Sequence, residues 1–381
     1  MESLISKTPI RLSKSCISES EKKAVMRVLD HEFLGMGVEV KNFETMLSEF
    51  FGRQAVCVSS GTAALQLALQ ASGIKPGDEV IVQALTYVAS FQAISALGAV
   101  PVACDIDPDS LCMDWRDAEK KITKKTKVLM PVHYSGGVGK LNEIYKLAKE
   151  NSLIVIEDAA HAFGTEYQGT RVGGFGDIAC FSFDGIKNIT SGEGGCVVSS
   201  DMGFLKKVRD ARLLGVENDT EKRYLNQRSW NFDVSSQGWR YHMSNLMAAI
   251  GIEQLKRFKI LSDKRKKLSI CYTKHLLDIH GLTLINHNYN YVVPHIFVVR
   301  FDSKEMRDNI REVLSDNGVQ TGLHYKPNHL LTLYKNGSNL TNVNQVYSEL
   351  LTLPLHPDLS EEEVGLVCNL IIKHIDKTVK I

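Results

Sequence analysis

The sequence predicts an α/β protein with one large, mostly parallel sheet between helices and a smaller C-terminal α+β unit. Three observations lead to this fold class. The 381 residues suffice for two or three domains, short β-branched runs alternate with helical patterns from about residue 54, and this alternation ends near residue 250. We expect the large unit, with the N-terminal segment, to span 1–250 and the small unit 251–381.

Seven short runs are predicted as strands of the large sheet, because they alternate along the chain with segments of helical spacing. They span 54–59, 78–83, 100–105, 127–132, 153–158, 178–183 and 195–199. Segments with helical spacing lie between them, as at 141–147. This order is typical of βα units around parallel strands.

The pattern changes in the C-terminal part of the chain. A continuous helical pattern over about 244–275 precedes a predicted strand at 295–301, a helix at 303–316, a strand at 319–325 and a terminal helix from 360. Strands and helices that segregate after a connecting helix indicate a second, α+β domain.

Composition argues against several classes of protein. Hydrophobic residues make up 44% and charged residues 23%, which is typical of globular proteins. The net charge is +1, so we expect no nucleic-acid partner. The eight cysteines form no CxxC pair, which favours reduced thiols over a metal site. Since residues 1–7 do not read as a leader and no apolar run reaches roughly 18 residues, we expect no membrane partner and a cytoplasmic location.

Gly61 lies among hydroxyl residues where an apolar strand passes into a helical pattern. Such a helix start offers free backbone N–H groups to an anion. Ordinary N-capping by Ser60 or Thr62 explains the same residues and is the commoner situation. The turn alone does not decide between the two.

Two acids, Glu157 and Asp158, end a fully apolar strand, and His161 follows. Open α/β sheets bind ligands at the carboxyl ends of their strands, and a buried acid there requires a partner. The protonated nitrogen of a pyridinium ring is one such partner. A helix N-cap or a salt bridge accounts for the pattern equally well.

Lys187 follows another apolar strand and precedes the glycine-rich turn at 192–195. Apolar neighbours disfavour the ammonium form and leave an amine that attacks carbonyl carbons. A lone lysine is far more often a surface residue. The nucleophile hypothesis therefore depends on the helix start, the acid and the lysine occurring together in this order.

Together these motifs resemble the DegT/DnrJ/EryC1/StrS family of pyridoxal-phosphate-dependent sugar aminotransferases. The resemblance rests on the turn at 58–65, on Asp-Ala-Ala-His at 158–161, and on Ser-Phe-x-x-x-Lys at 182–187 followed by Gly-Glu-Gly-Gly. It extends to the segments at 75–80, 131–134, 243–245 and 353–356. The family implies a fold type I architecture and pyridoxal phosphate as the cofactor.

The resemblance also implies roles for individual residues. Lys187 would carry the cofactor covalently and act as the acid–base, and Asp158 would pair with the pyridinium nitrogen. Tyr87 would stack on the ring, Ala160 would pack on its opposite face, and His161 would lie near the ring hydroxyl.

By the same resemblance, Gly61, Thr62 and Ser182 would hold the cofactor phosphate. Arg240 matches a residue that reaches the phosphate of a neighbouring subunit, which implies a homodimer with shared active sites. At this place the family commonly has Asn or Lys. Arginine still binds phosphate, with a different reach.

The expected substrates are L-glutamate as the amino donor and a nucleotide-linked keto-sugar as the acceptor, in amino-sugar or O-antigen-type polysaccharide biosynthesis. A 4-keto-6-deoxy dTDP- or UDP-sugar is favoured over a 3-keto-sugar. Tyr325 and His324 are the expected sugar contacts, because 324–327 resembles a His-Tyr-x-Pro element of the family. Asp184 stands where many members have histidine, and its role is open.

Two other functions compete with transamination. A branch of the family dehydrates sugars at C3, and there histidine replaces the lysine, so Lys187 argues against that reaction. A protein that only senses a ligand would lose the cofactor residues, which are all present in this chain.

Overall fold

A seven-stranded sheet forms the centre of the larger unit in the computed structural model, which describes residues 9–335 and 337–379. The strands, in chain order, are β1 (Gln54–Val58), β2 (Glu79–Gln83), β3 (Val100–Cys104), β4 (Thr126–Met130), β5 (Ile154–Asp158), β6 (Glu166–Tyr167), β7 (Thr170–Arg171), β8 (Ile178–Ser182), β9 (Gly195–Ser199), β10 (Leu282–Leu284), β11 (Phe297–Phe301) and β12 (Leu350–Leu353). Each of the seven predicted strands of the large sheet occurs, within two residues of its predicted bounds.

The helices cover both faces of the large sheet and one side of the smaller one. They are α1 (Glu19–Asp30), α2 (Val38–Phe51), α3 (Gly61–Ala71), α4 (Val88–Ser95), α5 (Trp115–Lys121), α6 (Leu141–Glu150), α7 (Met202–Ala211), α8 (Asp219–Tyr224), α9 (Asn245–Lys256), α10 (Phe258–Leu276), α11 (Lys304–Asp316), α12 (Thr341–Glu349) and α13 (Glu361–Val379). Short 3₁₀ turns occur at Tyr134–Gly136 and Asn328–Leu330.

The large sheet has the strand order β1-β9-β8-β5-β4-β2-β3. The β8-β5-β4-β2-β3 part is parallel, whereas β9 runs antiparallel to both of its neighbours. The predicted mostly parallel α/β class is therefore confirmed. The parallel strands end at one edge, where β5 ends at Asp158 and β8 at Ser182. The first turn of α3 lies at this edge as well, since a Cβ at Gly61 would lie 2.8 Å from Ser182 Cβ.

The smaller sheet is antiparallel, with the order β10-β11-β12. Its apolar core includes Val299 and Leu351 and is closed by α10, α11 and α13. The strand predicted at 319–325 is wrong, because this segment forms only isolated bridges, from Val319 to Ile10 and from Gly322 to Thr352. The helical pattern at 244–275 forms two helices, α9 and α10, which meet at Arg257.

The N-terminal stretch associates with the smaller unit. Ile10 N donates to Gly318 O at 2.9 Å, and Leu355 N donates to Leu12 O at 3.0 Å. The predicted boundary between residues 250 and 251 stays a prediction. The segment in which we expected no leader, residues 1–7, lies outside the described residues. Within the described part of the chain, no helix is both long and apolar enough to cross a membrane.

Candidate active site

A cavity of about 420 Å³ opens at the carboxyl edge of the large sheet. This volume falls within the range of roughly 300–1,000 Å³ that is typical of small-molecule sites. Every predicted site residue except Arg240 lines it, namely Gly61, Thr62, Tyr87, Asp158, Ala160, His161, Ser182, Lys187, His324 and Tyr325. The fold thus brings segments from both units to one place.

The start of α3 forms one wall of the cavity. Ser60 is the N-cap, and its hydroxyl accepts from Ala63 N at 3.1 Å. The N–H groups of Gly61 and Thr62 have no acceptor within the helix, because they precede its first internal hydrogen bond. A Cβ at Gly61 would lie 2.8 Å from Ser182 Cβ, so the close approach of α3 to the end of β8 requires glycine. Capping by Ser60 is therefore observed and does not use the N–H groups of Gly61 and Thr62.

Asp158 ends β5 at the floor of the cavity and is only 5% exposed. Its Oδ2 accepts from Ser90 Oγ at 2.7 Å, and its Oδ1 accepts from Ala160 N at 3.2 Å. Burial raises the pKa of this carboxyl, while the bond from Ser90 opposes the rise. Among the described residues Asp158 has no salt-bridge partner and caps no helix. It is thus a buried acid that faces a cavity.

The neighbouring acid, Glu157, serves a different purpose. Its Oε2 lies 2.6 Å from His133 Nε2, and its Oε1 accepts from Tyr145 OH at 2.6 Å. Successive residues of a strand point to opposite faces, so Glu157 is directed away from the cavity that Asp158 lines. Its partners make Glu157 part of the buried framework.

Lys187 follows β8 and directs its amine into the cavity. Burial lowers the pKa of Lys187 to about 8, although the charges of Asp158 and Asp184 favour the ammonium form. Its Nζ lies 3.4 Å from His295 Nε2. Burial also holds the pKa of His295 well below its usual value, so this imidazole is neutral at neutral pH.

His295 was missed by sequence reasoning. It lies 108 positions from Lys187, just before β11, in the small unit. The only signal for it was a polar residue at the start of a predicted strand. Asp184 and Glu193 also line the cavity, and burial raises the pKa of Glu193, with a further contribution from the charge of Asp184.

Residues of the small unit close the cavity opposite the sheet. Tyr325 OH lies 3.1 Å from His161 Nε2, and the ring centroids of Tyr325 and Tyr87 are 5.6 Å apart. Tyr134 OH donates to His324 O, and His324 Nδ1 lies 2.8 Å from Thr352 Oγ1. Tyr87 itself is 60% exposed, which leaves its ring face available to a ligand.

Arg240 lies outside the cavity. It is exposed and pairs with Leu213 in an isolated bridge. The backbone oxygen of its neighbour Tyr241 accepts a hydrogen bond from Ser59 N at 2.7 Å, so Arg240 precedes a residue that is close in space to the loop before α3. The predicted contact of Arg240 with the phosphate of a neighbouring subunit stays a prediction.

The chemistry of these groups fits pyridoxal phosphate. Free N–H groups at the start of α3 suit the phosphate, the Asp158 carboxylate suits a ring cation, and the low-pKa Lys187 amine suits an aldehyde. His161 Nδ1, buried and without a protein partner in the described chain, offers a further polar contact to a ligand. The fold and the site together place the protein in the class of pyridoxal-phosphate enzymes.

Comparison with known proteins narrows the class to a family. The chain belongs to the DegT/DnrJ/EryC1/StrS aminotransferase family, whose model matches residues 15–372. It is 34% identical to the spore coat polysaccharide biosynthesis protein SpsC of Bacillus subtilis over 359 residues, which cover 91% of this chain and 92% of that protein.

Two solved structures are also similar to this chain. The PLP form of Spr1654 from Streptococcus pneumoniae has a TM-score of 0.89 and 31% identity, and the match covers 97% of this chain and 99% of that one. Helicobacter pylori PseC, an aminotransferase involved in pseudoaminic acid biosynthesis, has a TM-score of 0.90 and 28% identity over 97% of this chain and 100% of that one. The predicted family, fold type I and pyridoxal phosphate cofactor are confirmed.

Proposed function

We propose that the chain transfers an amino group from L-glutamate to a nucleotide-linked keto-sugar, with a 4-keto-6-deoxy dTDP- or UDP-sugar as the favoured acceptor. The product would enter amino-sugar or O-antigen-type polysaccharide biosynthesis. The observation that carries the proposal is the convergence of Lys187, Asp158 and the start of α3 on one cavity. The names of SpsC and PseC, which refer to a polysaccharide and a sugar acid, support a sugar acceptor.

When bound, pyridoxal phosphate supplies an electron-accepting ring next to the carbon at which bonds break. Gly61, Thr62 and Ser182 hold its phosphate through the N–H groups of α3 and a hydroxyl. Asp158 holds a proton on the ring nitrogen by charge. Ser90, which donates to the other side of Asp158, fixes the carboxylate that does so.

Three further residues orient the ring. Tyr87 and Ala160, which both line the cavity, would hold the ring between them. His161 lies near the ring hydroxyl, with its Nε2 held by Tyr325 at 3.1 Å. Because Tyr325 comes from the small unit, this hydrogen bond joins a residue that would contact the cofactor to one that would contact the sugar.

Lys187 carries the cofactor and later moves the proton at the substrate carbon. This work requires an amine that is neutral part of the time, and a pKa of about 8 provides it near physiological pH. His295 is the neutral partner of this amine at 3.4 Å.

Tyr325 and His324 would contact the sugar. Both line the cavity, and His324 is anchored to Thr352, so its ring has a fixed orientation. Asp184 and Glu193 add acidic groups to the same cavity. They offer acceptors to sugar hydroxyls, which gives Asp184 a role that the sequence left open.

A homodimer with shared sites is part of the proposal, with Arg240 reaching the phosphate of its partner. The segment before Arg240 has several large apolar side chains on the surface. Leu225 is 66% exposed, Trp230 86% and Phe232 55%. Clustered exposed apolar residues of this size mark interaction surfaces. We also expect the enzyme to be cytoplasmic, where nucleotide sugars are made.

Incubation of the holoenzyme with L-glutamate and dTDP-4-keto-6-deoxyglucose tests the proposal. We expect an amino-sugar product, whose mass and NMR spectrum place nitrogen at C4, and no product with a Lys187→Ala control. A 3-keto-sugar that is converted faster would move the assignment to C3. A product that has lost C3 oxygen without gaining nitrogen would indicate dehydration, and cofactor binding without turnover of any keto-sugar would contradict transamination.

A further inference from the structure

Arg265 is a buried cation without an acidic partner. This residue of α10 is 2% exposed, and no carboxylate of the described chain lies within salt-bridge distance of it. Other buried arginines in the chain have acids beside them, as Arg212 has Glu44 and Arg307 has Asp308. Burial lowers the pKa of Arg265 to about 10, so the guanidinium still carries its charge at neutral pH.

The guanidinium is held by backbone carbonyls instead. Its Nη1 donates to His295 O at 3.0 Å and to Leu355 O at 3.3 Å, and its Nη2 donates to Ile186 O at 3.3 Å. The carbonyl oxygens accept from both terminal nitrogens without neutralising the charge, while Arg265 Nε has no hydrogen-bond partner in the described chain. Burial of a charge without a counter-ion costs folding free energy. Stability alone therefore does not explain why an arginine occupies this position.

These carbonyls flank the reactive amine. Ile186 immediately precedes Lys187, and His295 is the residue whose Nε2 lies 3.4 Å from Lys187 Nζ. One side chain therefore holds the backbone next to both partners of this contact. Because Ile186 belongs to the large unit and His295 to the small one, the same side chain fixes the two units relative to each other at the amine.

We propose that Arg265 is a positioning residue that holds Lys187 and His295 together and, as a fixed cation, opposes protonation of the amine. The proposal rests on the role of Lys187 in the proposed function. Among the charges that act on Lys187, Asp158 and Asp184 favour the ammonium form and Arg265 disfavours it. The charge of Arg265 also disfavours protonation of His295.

The shape of arginine matters as well as its charge. A planar guanidinium reaches several acceptors in fixed directions, whereas a lysine ammonium is a point charge on a flexible stem. Substitution by lysine thus keeps the charge and loses the three-carbonyl arrangement. Substitution by methionine removes both the charge and the hydrogen bonds and leaves an unbranched apolar side chain.

The test uses the holoenzyme of Arg265→Met, Arg265→Lys and a matched control, Arg307→Lys. Arg307 is also buried and bonds a carbonyl, Leu350 O at 3.2 Å, but this carbonyl belongs neither to His295 nor to the residue before Lys187. The visible absorbance of the lysine-bound cofactor is titrated against pH, and single-turnover rates with glutamate are measured. Peptide mapping after borohydride reduction first locates the label.

We expect Arg265→Met to raise the titration midpoint by roughly one pH unit, since loss of a nearby cation favours the protonated form. Arg265→Lys should keep the midpoint near that of the parent and slow the single turnover at least tenfold. Arg307→Lys should change neither. If the methionine variant does not fold, a lysine variant with the parental rate overturns the proposal.

An unchanged midpoint in folded Arg265→Met, with the label on Lys187, would overturn this inference and leave the proposed function intact. A label on another lysine would overturn the role of Lys187 and this inference with it. Neither measurement uses a keto-sugar. A wrong sugar assignment therefore does not affect the result.

Discussion

Replacement of Gly61 by alanine tests the geometry of the phosphate wall. The new Cβ would lie 2.8 Å from Ser182 Cβ, 3.2 Å from Ser182 Oγ and 3.3 Å from Ser182 Cα. Ordinary contacts between carbon atoms begin at roughly 3.5 Å. The start of α3 must therefore move away from β8 by several tenths of an ångström or more, and the N–H groups of Gly61 and Thr62 move with it.

The magnitude follows from the cost of overpacking, which is typically about 1–3 kcal/mol. If this cost falls on the cofactor-bound state, where the wall is held in place, the Kd for pyridoxal phosphate rises roughly 5- to 150-fold. Titration of the apoenzyme with pyridoxal phosphate, followed by absorbance, measures the change. Thermal unfolding of the apoenzyme reports how much of the cost falls on folding instead.

Two further variants sharpen this experiment. Gly365→Ala is the matched control, since a Cβ there meets nothing within 4 Å, and it should leave the Kd unchanged. Ser182→Gly removes the two closest contacts of the new Cβ, so Gly61→Ala should weaken binding less in that background than in the parent. Parental affinity and parental Tm in Gly61→Ala would refute the proposed close packing of α3 on β8.

Three other predictions follow from the site. Asp158→Asn should retain the cofactor and lose roughly 10²–10³ in the single-turnover rate with glutamate, as expected when one preorganised electrostatic partner is removed; a parental rate would make Asp158 structural. The rate at which the apoenzyme binds pyridoxal phosphate covalently should rise with pH through about 8, because the lowered pKa of Lys187 makes its amine neutral above that pH; a midpoint near the ordinary lysine value would contradict this environment. Mixed Lys187→Ala and Arg240→Ala chains, each folded, dimeric and nearly inactive alone, should regain activity after subunit exchange, since a hybrid dimer has one site with both residues intact; no recovery after verified exchange would contradict a shared site.

The large sheet was predictable because its strands are short apolar runs with clear ends. Most of the runs stop at an acid or a hydroxyl residue, as at Ser59, Asp105 and Asp158, and a buried parallel strand requires a continuous apolar segment of this kind. The small unit was less predictable. Its strand β12 lies within a leucine-rich stretch at 350–355, where period alone does not separate strand from helix, and it was not predicted. The segment at 319–325 has two β-branched residues, Val319 and Thr321, and its bridges depend on distant partners.

The helix break at Arg257 is another feature that the sequence pattern does not carry. Apolar residues continue across it, but α9 ends there and α10 begins at Phe258. Phe258 packs with Phe50 and Phe163 in an aromatic cluster, with ring centroids 5.4 and 5.1 Å away. Tertiary packing therefore sets the direction of α10, which the local sequence pattern does not indicate.

The candidate site also contains residues that the sequence predicted and residues that it did not. Lys187, Asp158 and the turn at Gly61 were found because each lies at a strand end with a recognisable local pattern. His295 and Arg265 were missed because their importance arises from contacts with residues far away in the chain, Lys187 and Ile186. A single histidine before a strand and a single arginine within a basic helix have no local signature. Contacts of this kind become visible only in the folded chain.

The central claim is that Lys187 is the lysine that carries pyridoxal phosphate. Borohydride reduction of the holoenzyme, proteolysis and mass spectrometry test it most directly, since reduction fixes the pyridoxyl group on the amine that holds it. We expect the label on the peptide that contains Lys187, and none on Lys187→Ala. A pyridoxyl group found on a different lysine of the parent enzyme would contradict the account.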